Sequence, residues 1–106
     1  IYPVIGVSLD SLTAHASQLG GISIEAPEHM IGKNTTECMK SGLIYSSAAA
    51  MDGIIDRLQE QLGGEATVIA TGGLAKKIVP HCRREIILDD DLLLKGLAII
   101  YKKNRK

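Results

Sequence analysis

The residues able to do chemistry fall into short clusters. Gly72 and Gly73 follow Thr71 at the end of an apolar run, Thr67 to Ala70, and precede Leu74-Ala75-Lys76-Lys77-Ile78. A strand that feeds a helix through paired glycines lets a ligand come close to the backbone, because glycine adopts positive φ without a steric cost. The amides at the following helix start favour an anion. A tight strand-to-helix turn with no ligand would use the same residues. The spacing is not Gly-x-Gly-x-x-Gly and does not end in Gly-Lys-Ser/Thr, so neither a dinucleotide fingerprint nor a P-loop is supported.

Thr35 and Thr36 stand behind Asn34 at the start of a long helical pattern. Their hydroxyls, with the free amides of a helix start, could hold an oxyanion or a hydroxyl-bearing substrate; simple capping places the same atoms there. Asp52 and Asp56 lie one turn apart beside Arg57. They could act as paired carboxylates, but a solvated helix face with ion pairs accounts for them as well. Asp89-Asp90-Asp91 suggests a divalent cation. Adjacent side chains point apart, however, and acids at a helix start are expected from capping and the dipole. Cys38, Cys82, His29 and His81 have no zinc-ligand spacing beyond the adjacent His81-Cys82 pair, so no metal site is assigned. The cysteines are expected to be reduced, partly buried thiols. His15 and His29 read as surface residues.

The elements that must position these groups are bounded by composition. The chain has 106 residues, room for at most one domain. Twelve basic and twelve acidic residues cancel, which removes the electrostatic footprint of a nucleic-acid binder. With no Phe or Trp and three Tyr, the core must be aliphatic and base-stacking platforms are not expected. No apolar run reaches membrane-spanning length and no signal peptide is visible. The chain opens in mid-pattern on Ile1-Tyr2-Pro3-Val4-Ile5, as expected of a piece of a longer protein.

Ser8 is a good cap for a helix to about Leu19, closed by Gly20-Gly21. Ile22 to Glu25 alternates like a short edge strand. The long helix runs from Asn34-Thr35 to Leu62 and closes at Gly63-Gly64. Glu37 stands at the third helical position, as in a capping box. Met39, Leu43, Ala50, Ile54, Leu58 and Leu62 are the expected core stripe. Gly42, Ser46, Ala49 and Gly53 form a narrow strip of small residues that would let another backbone approach, across a subunit interface or inside the domain. Two glycines inside a helix, each costing about 1 kcal/mol relative to alanine, suggest a packing purpose. Thr67–Ala70 and Glu85–Leu88 are the expected strands, and Pro80 ends the short helix between them. The last helix is expected from Leu92 to about Lys103, with Leu92, Leu93, Leu97 and Ile100 facing inward. Strands alternating with helices define an α/β class, but two strands are too few for a self-sufficient sheet.

Taken together, four motifs resemble type III pantothenate kinase. They are Ile31-Gly32-Lys33-Asn34-Thr35 with Met39-Lys40-Ser41-Gly42; Asp52-Gly53-Ile54-Ile55-Asp56-Arg57; Val68 to Ala75; and Gly96-Leu97 with Ile100-Tyr101 and Asn104. The resemblance covers essentially the whole chain and corresponds to roughly the C-terminal two-fifths of the family's enzymes. Pro3 to Ser8 with Leu12 looks like the segment just after the family's second phosphate motif. By this resemblance, residues 1–106 are the C-terminal part of an actin-like (ribonuclease H-like) ATPase domain, with helices packed on a small incomplete sheet.

The resemblance also implies the rest. The family transfers the ATP γ-phosphate to pantothenate in coenzyme A synthesis, with magnesium and a monovalent cation such as potassium or ammonium. It acts as a cytoplasmic homodimer, and some members carry a transcriptional accessory-factor label. Thr35 is the implied substrate-binding threonine, and Gly72 and Gly73 the implied nucleotide-binding glycines. The long helix matches the one used in family dimer packing. The family's first phosphate motif, general-base aspartate, cation-site aspartate and second phosphate motif would lie before Ile1, so no catalytic residue and no metal ligand is assigned here. Val4, Ser46 and Gly20 depart from the family pattern, which more often has Gly, Gly and Pro there. The chain alone is therefore expected to be inactive as a kinase. The alternative is a non-catalytic dimerisation or binding module derived from such a kinase. No nucleic acid or membrane partner is expected on either reading.

Overall fold

The computed structural model describes residues 24–105. The helix expected from Ser8, the start of the strand expected at Ile22, and His15 lie outside the described residues.

The dominant element is α1, Thr35–Leu62, 28 residues and so about 42 Å long. Asn34 caps it in extended conformation, its Oδ1 accepting the Glu37 N–H at 2.9 Å. Glu37 Oε2 in turn accepts the Lys33 N–H at 2.7 Å. Half of the expected capping box is thus present: Asn34 caps Glu37, but the return bond comes from the N–H of Lys33 rather than from that of the cap residue. Gly32 sits close under this start: a Cβ there would lie 2.6 Å from the Cys38 nitrogen, so only glycine fits without moving backbone. Gly63 ends the helix at φ 80°, donating to the Gln59 and Glu60 carbonyls. Asn34→Ala is expected to destabilise the chain by about 1 kcal/mol and Asn34→Gly by only a few tenths, read from urea unfolding midpoints. Equal losses would mean that the side-chain cap is not what holds this end.

The core lies on one side of α1. Leu43, Ile44 and Ala48 are buried with Ile78, and Ile24, Ala26, Met51, Leu74 and Cys82 pack around them. Ile44 is fully enclosed. Two buried serines are satisfied locally, Ser41 Oγ donating to the Met30 carbonyl and Ser47 Oγ to the Leu43 carbonyl. The expected core stripe is correct at Leu43 but not beyond the middle of the helix. Ile54, Leu58 and Leu62 are exposed, while Ile55 is buried. The buried stripe follows Ile44, Ala48, partly buried Met51 and Ile55; the first three pack toward the short helix and the chain leaving it, and Ile55 lines a cavity with Val68 and Ile87. The small-residue strip lies on the outer side: Gly42, Ser46, Ala49 and Gly53 are all exposed.

Among the described residues the sheet has two parallel strands, β1 (Ile69–Ala70) and β2 (Ile87–Leu88), pairing Ile69 with Ile87 and Ala70 with Leu88. Both are shorter than the four-residue runs expected. Between them come α2 (Ala75–Ile78) and a 3-10 turn (Val79–His81), completing a strand–helix–strand unit. Pro80 does not simply end α2. It is the second residue of the 3-10 turn, in its first turn, where its missing N–H needs no partner. The last helix, α3 (Leu92–Asn104), has no buried residue. The expected inward set, Leu92, Leu93, Leu97 and Ile100, is exposed, because among the described residues no element lies over that face. The α/β class stands, as helices with a small parallel sheet. Among the described residues no helix is long and apolar enough to cross a membrane.

Candidate functional site

Thr35 is the first helical residue of α1 and is exposed. With Asn34 Oδ1 engaged by Glu37, the N–H groups of Thr35 and Thr36 have no acceptor among the described residues. The hydroxyl of Thr35 likewise has no hydrogen-bond partner there. Donors and a hydroxyl therefore stand open together at the positive end of a long helix, where a polar or anionic group is favoured.

Gly72 follows β1 with φ 105°, a backbone state that side chains rarely adopt, and its carbonyl accepts the Ala75 N–H at 3.3 Å. A Cβ at Gly72 or Gly73 would meet nothing within 4 Å among the described residues, so the turn is open to a ligand. It stands at the carboxyl end of a parallel strand, the end at which open α/β sheets bind ligands. The loop after β2 borders the same end. There Asp90 pairs with Lys76 at 2.9 Å and Asp89 with Lys95 at 2.8 Å. The aspartate run is thus distributed between two lysines, and Asp91 precedes α3 without a side-chain cap bond. Thr35 and the glycine turn are not in contact. They are linked through the core, where Leu74 and Ile78 meet Leu43 and Ile44.

Two cavities lined by described residues lie elsewhere. One of about 390 Å³ is lined by Ile55, Gln59, Val68, Arg84 and Ile87 among others. It sits toward the amino ends of the strands, away from Gly72, and includes neither Thr35 nor the glycines.

Asp52 and Asp56 form ion pairs and hydrogen bonds, as one of the two sequence readings holds, but the partner is Arg84 rather than the adjacent Arg57. Asp56 takes Arg84 Nε and Nη2 at 2.5 and 2.7 Å, and Asp52 accepts the backbone N–H groups of Arg83 and Arg84 at 2.8 and 3.0 Å. Sequence spacing carries no signal for a partner 28 residues away. The hydrogen bonds from Arg84 hold the Asp56 carboxyl below its ordinary value, and those from Lys95 do the same for Asp89. A carboxyl whose pKa is lower folded than unfolded adds stability above its unfolded pKa and loses it as pH falls through the folded one. These pairs therefore steepen the loss of stability below about pH 4. Asp56→Asn should flatten that acid limb in urea midpoints taken from neutral pH downward; superimposable limbs would deny the pair any part in it.

Cys82 is half-buried, its Sγ near the Ala48 and Ile78 carbonyls, and burial pushes its thiol pKa up, aided by the Asp52 charge. Cys38 is exposed, not partly buried as expected, since it lies on the outer side of the first turn of α1. His29 is exposed as expected, and His81 sits edge-on to Tyr45, ring centres 5.2 Å apart.

The family model for type III pantothenate kinase matches residues 1–57. The type III pantothenate kinase of Acidothermus cellulolyticus is 42% identical over 102 residues, 96% of this chain and 40% of that protein. The Moorella thermoacetica enzyme of the same name is 42% identical over 104 residues, covering 98% and 41%. That of Exiguobacterium sp. is 43% identical over 106 residues, covering 100% and 41%. The chain belongs to the type III pantothenate kinase family. It spans about two-fifths of the length of the curated relatives it matches.

Proposed function

We propose that the chain is the C-terminal part of a pantothenate kinase that transfers the ATP γ-phosphate to pantothenate in coenzyme A synthesis. The observation that carries this reading is the open glycine turn at the carboxyl end of β1, in a chain of this family. Gly72 and Gly73 lie against the nucleotide, with the positive φ of Gly72 keeping the backbone clear of it. Thr35 hydrogen-bonds a polar group of pantothenate through the hydroxyl that the helix cap leaves unused. The part-domain belongs to an actin-like fold, and α1 pairs with a second copy through its outer strip of small residues, giving a cytoplasmic homodimer.

Phosphoryl transfer requires the phosphates, metal and attacking hydroxyl to be placed together. The resemblance places the phosphate motifs and general base before Ile1, so on this reading the chain alone is inactive. On this reading, magnesium and the monovalent cation are held by parts of the parent enzyme outside this chain. What this chain does itself is bind one end of pantothenate and form one wall of the nucleotide cleft.

Coupled ADP-release assays of this chain alone, of the remainder of the Moorella thermoacetica relative alone, and of the two mixed test the reading. Activity only in the mixture supports it. Association without activity in the mixture favours the second reading, a non-catalytic dimerisation or binding module, to which the exposed small-residue strip is suited.

A further inference from the structure

Between α1 and the sheet there is a gap rather than a packed seam. Ile55 and Gln59 line one side of the cavity of about 390 Å³, and Thr67, Val68 and Ile87 line the other. The apolar core anchors α2 through Ile78 and Leu74, not the strands. What crosses from α1 toward β2 is polar. Asp52 accepts two consecutive backbone N–H groups, from Arg83 and Arg84, and Asp56, one turn further along, holds the Arg84 guanidinium in a bidentate pair. Arg84 is thereby held by both its backbone and its side chain, three residues before β2. Ile87 then donates to the Val68 carbonyl and Asp89 to that of Ala70, so the placement of β2 sets that of β1. Gly72 lies two residues beyond β1.

We propose that Asp52, Asp56 and Arg84 form a clasp that sets the sheet, and with it the Gly72–Gly73 turn, relative to α1. A lone exposed ion pair contributes little. This one is bidentate and adjoins a carboxylate with two backbone donors, both among the stronger hydrogen-bond types. The three are positioning residues. Only the consequence for nucleotide binding rests on the kinase reading; the clasp itself does not.

The test is amide hydrogen exchange by mass spectrometry on the full chain and on Asp52→Ala, Arg84→Gln and Arg84→Lys. Alanine is the best helix former, so Asp52→Ala removes the acceptor without weakening α1. In Asp52→Ala and Arg84→Gln, exchange across Val68–Leu74 and Ile87–Asp89 should quicken by about tenfold while Leu43–Ala48 keeps its rate. Arg84→Lys keeps the charge without the fork and should fall between. Unchanged exchange in the strands would overturn the proposal, as would equal acceleration throughout α1, which would be general loosening. No substrate enters the measurement, so a negative result leaves the kinase reading to the ADP-release assay.

Discussion

Thr35→Ala is expected to raise the pantothenate KM by about ten- to a hundredfold, the loss of one good hydrogen bond and the stranding of its partner. The setting is a chimeric enzyme in which this chain replaces the matched 104 residues of the Moorella thermoacetica relative. The ATP KM should stay within about twofold, since the effect acts on one substrate's binding only. The reason is local. Asn34, not Thr35, caps α1, and the Thr35 hydroxyl has no partner among the described residues. On the proposed reading, removing it takes away a ligand contact and leaves the helix start standing. Thr36→Ser is a fitting control, because it perturbs the same turn and keeps both hydroxyls. Equal rises in both KM values would remove Thr35 from the pantothenate side.

Gly72→Ala should do the reverse, raising the ATP KM by about tenfold with the pantothenate KM unchanged. The Cβ itself would touch nothing, so the cost arises from the backbone: φ is 105°, and a side chain in left-handed conformations costs about 1–2 kcal/mol. The turn relieves this by rotating away from the geometry that leaves room for the nucleotide. Gly73 is not at positive φ, so Gly73→Ala carries no such backbone cost. Any effect it has on the ATP KM comes from the added methyl. An ATP KM indifferent to both substitutions would return the turn to a plain strand-to-helix connection.

The sequence was informative where structure is decided locally. Asn34, Glu37 and Gly63 bound α1 because caps act within a few residues, and these ends lie where the sequence places them. Thr71-Gly72-Gly73 was legible as a strand-to-helix turn for the same reason. The buried side of α1 was not. Leu58 and Leu62 continue one apolar stripe, Ile44 and Ala48 another, and only the packing of α2 and the Cys82 segment selects the second. The exposed Leu93, Leu97 and Ile100 show the same thing on α3: periodicity identifies an apolar face, not what covers it. Arg84 was missed because its partners come from another element. The four family motifs were legible because each is a short run, and their order along the chain carries the specificity.

The central claim is that this chain supplies the pantothenate contact and one wall of the nucleotide cleft of a pantothenate kinase. The most direct measurement is ATP-dependent phosphorylation of pantothenate by the chimera, followed by coupled ADP release. Turnover that requires both ATP and pantothenate is the predicted result. A chimera that is folded by circular dichroism and binds ATP, yet leaves pantothenate unphosphorylated, would contradict it.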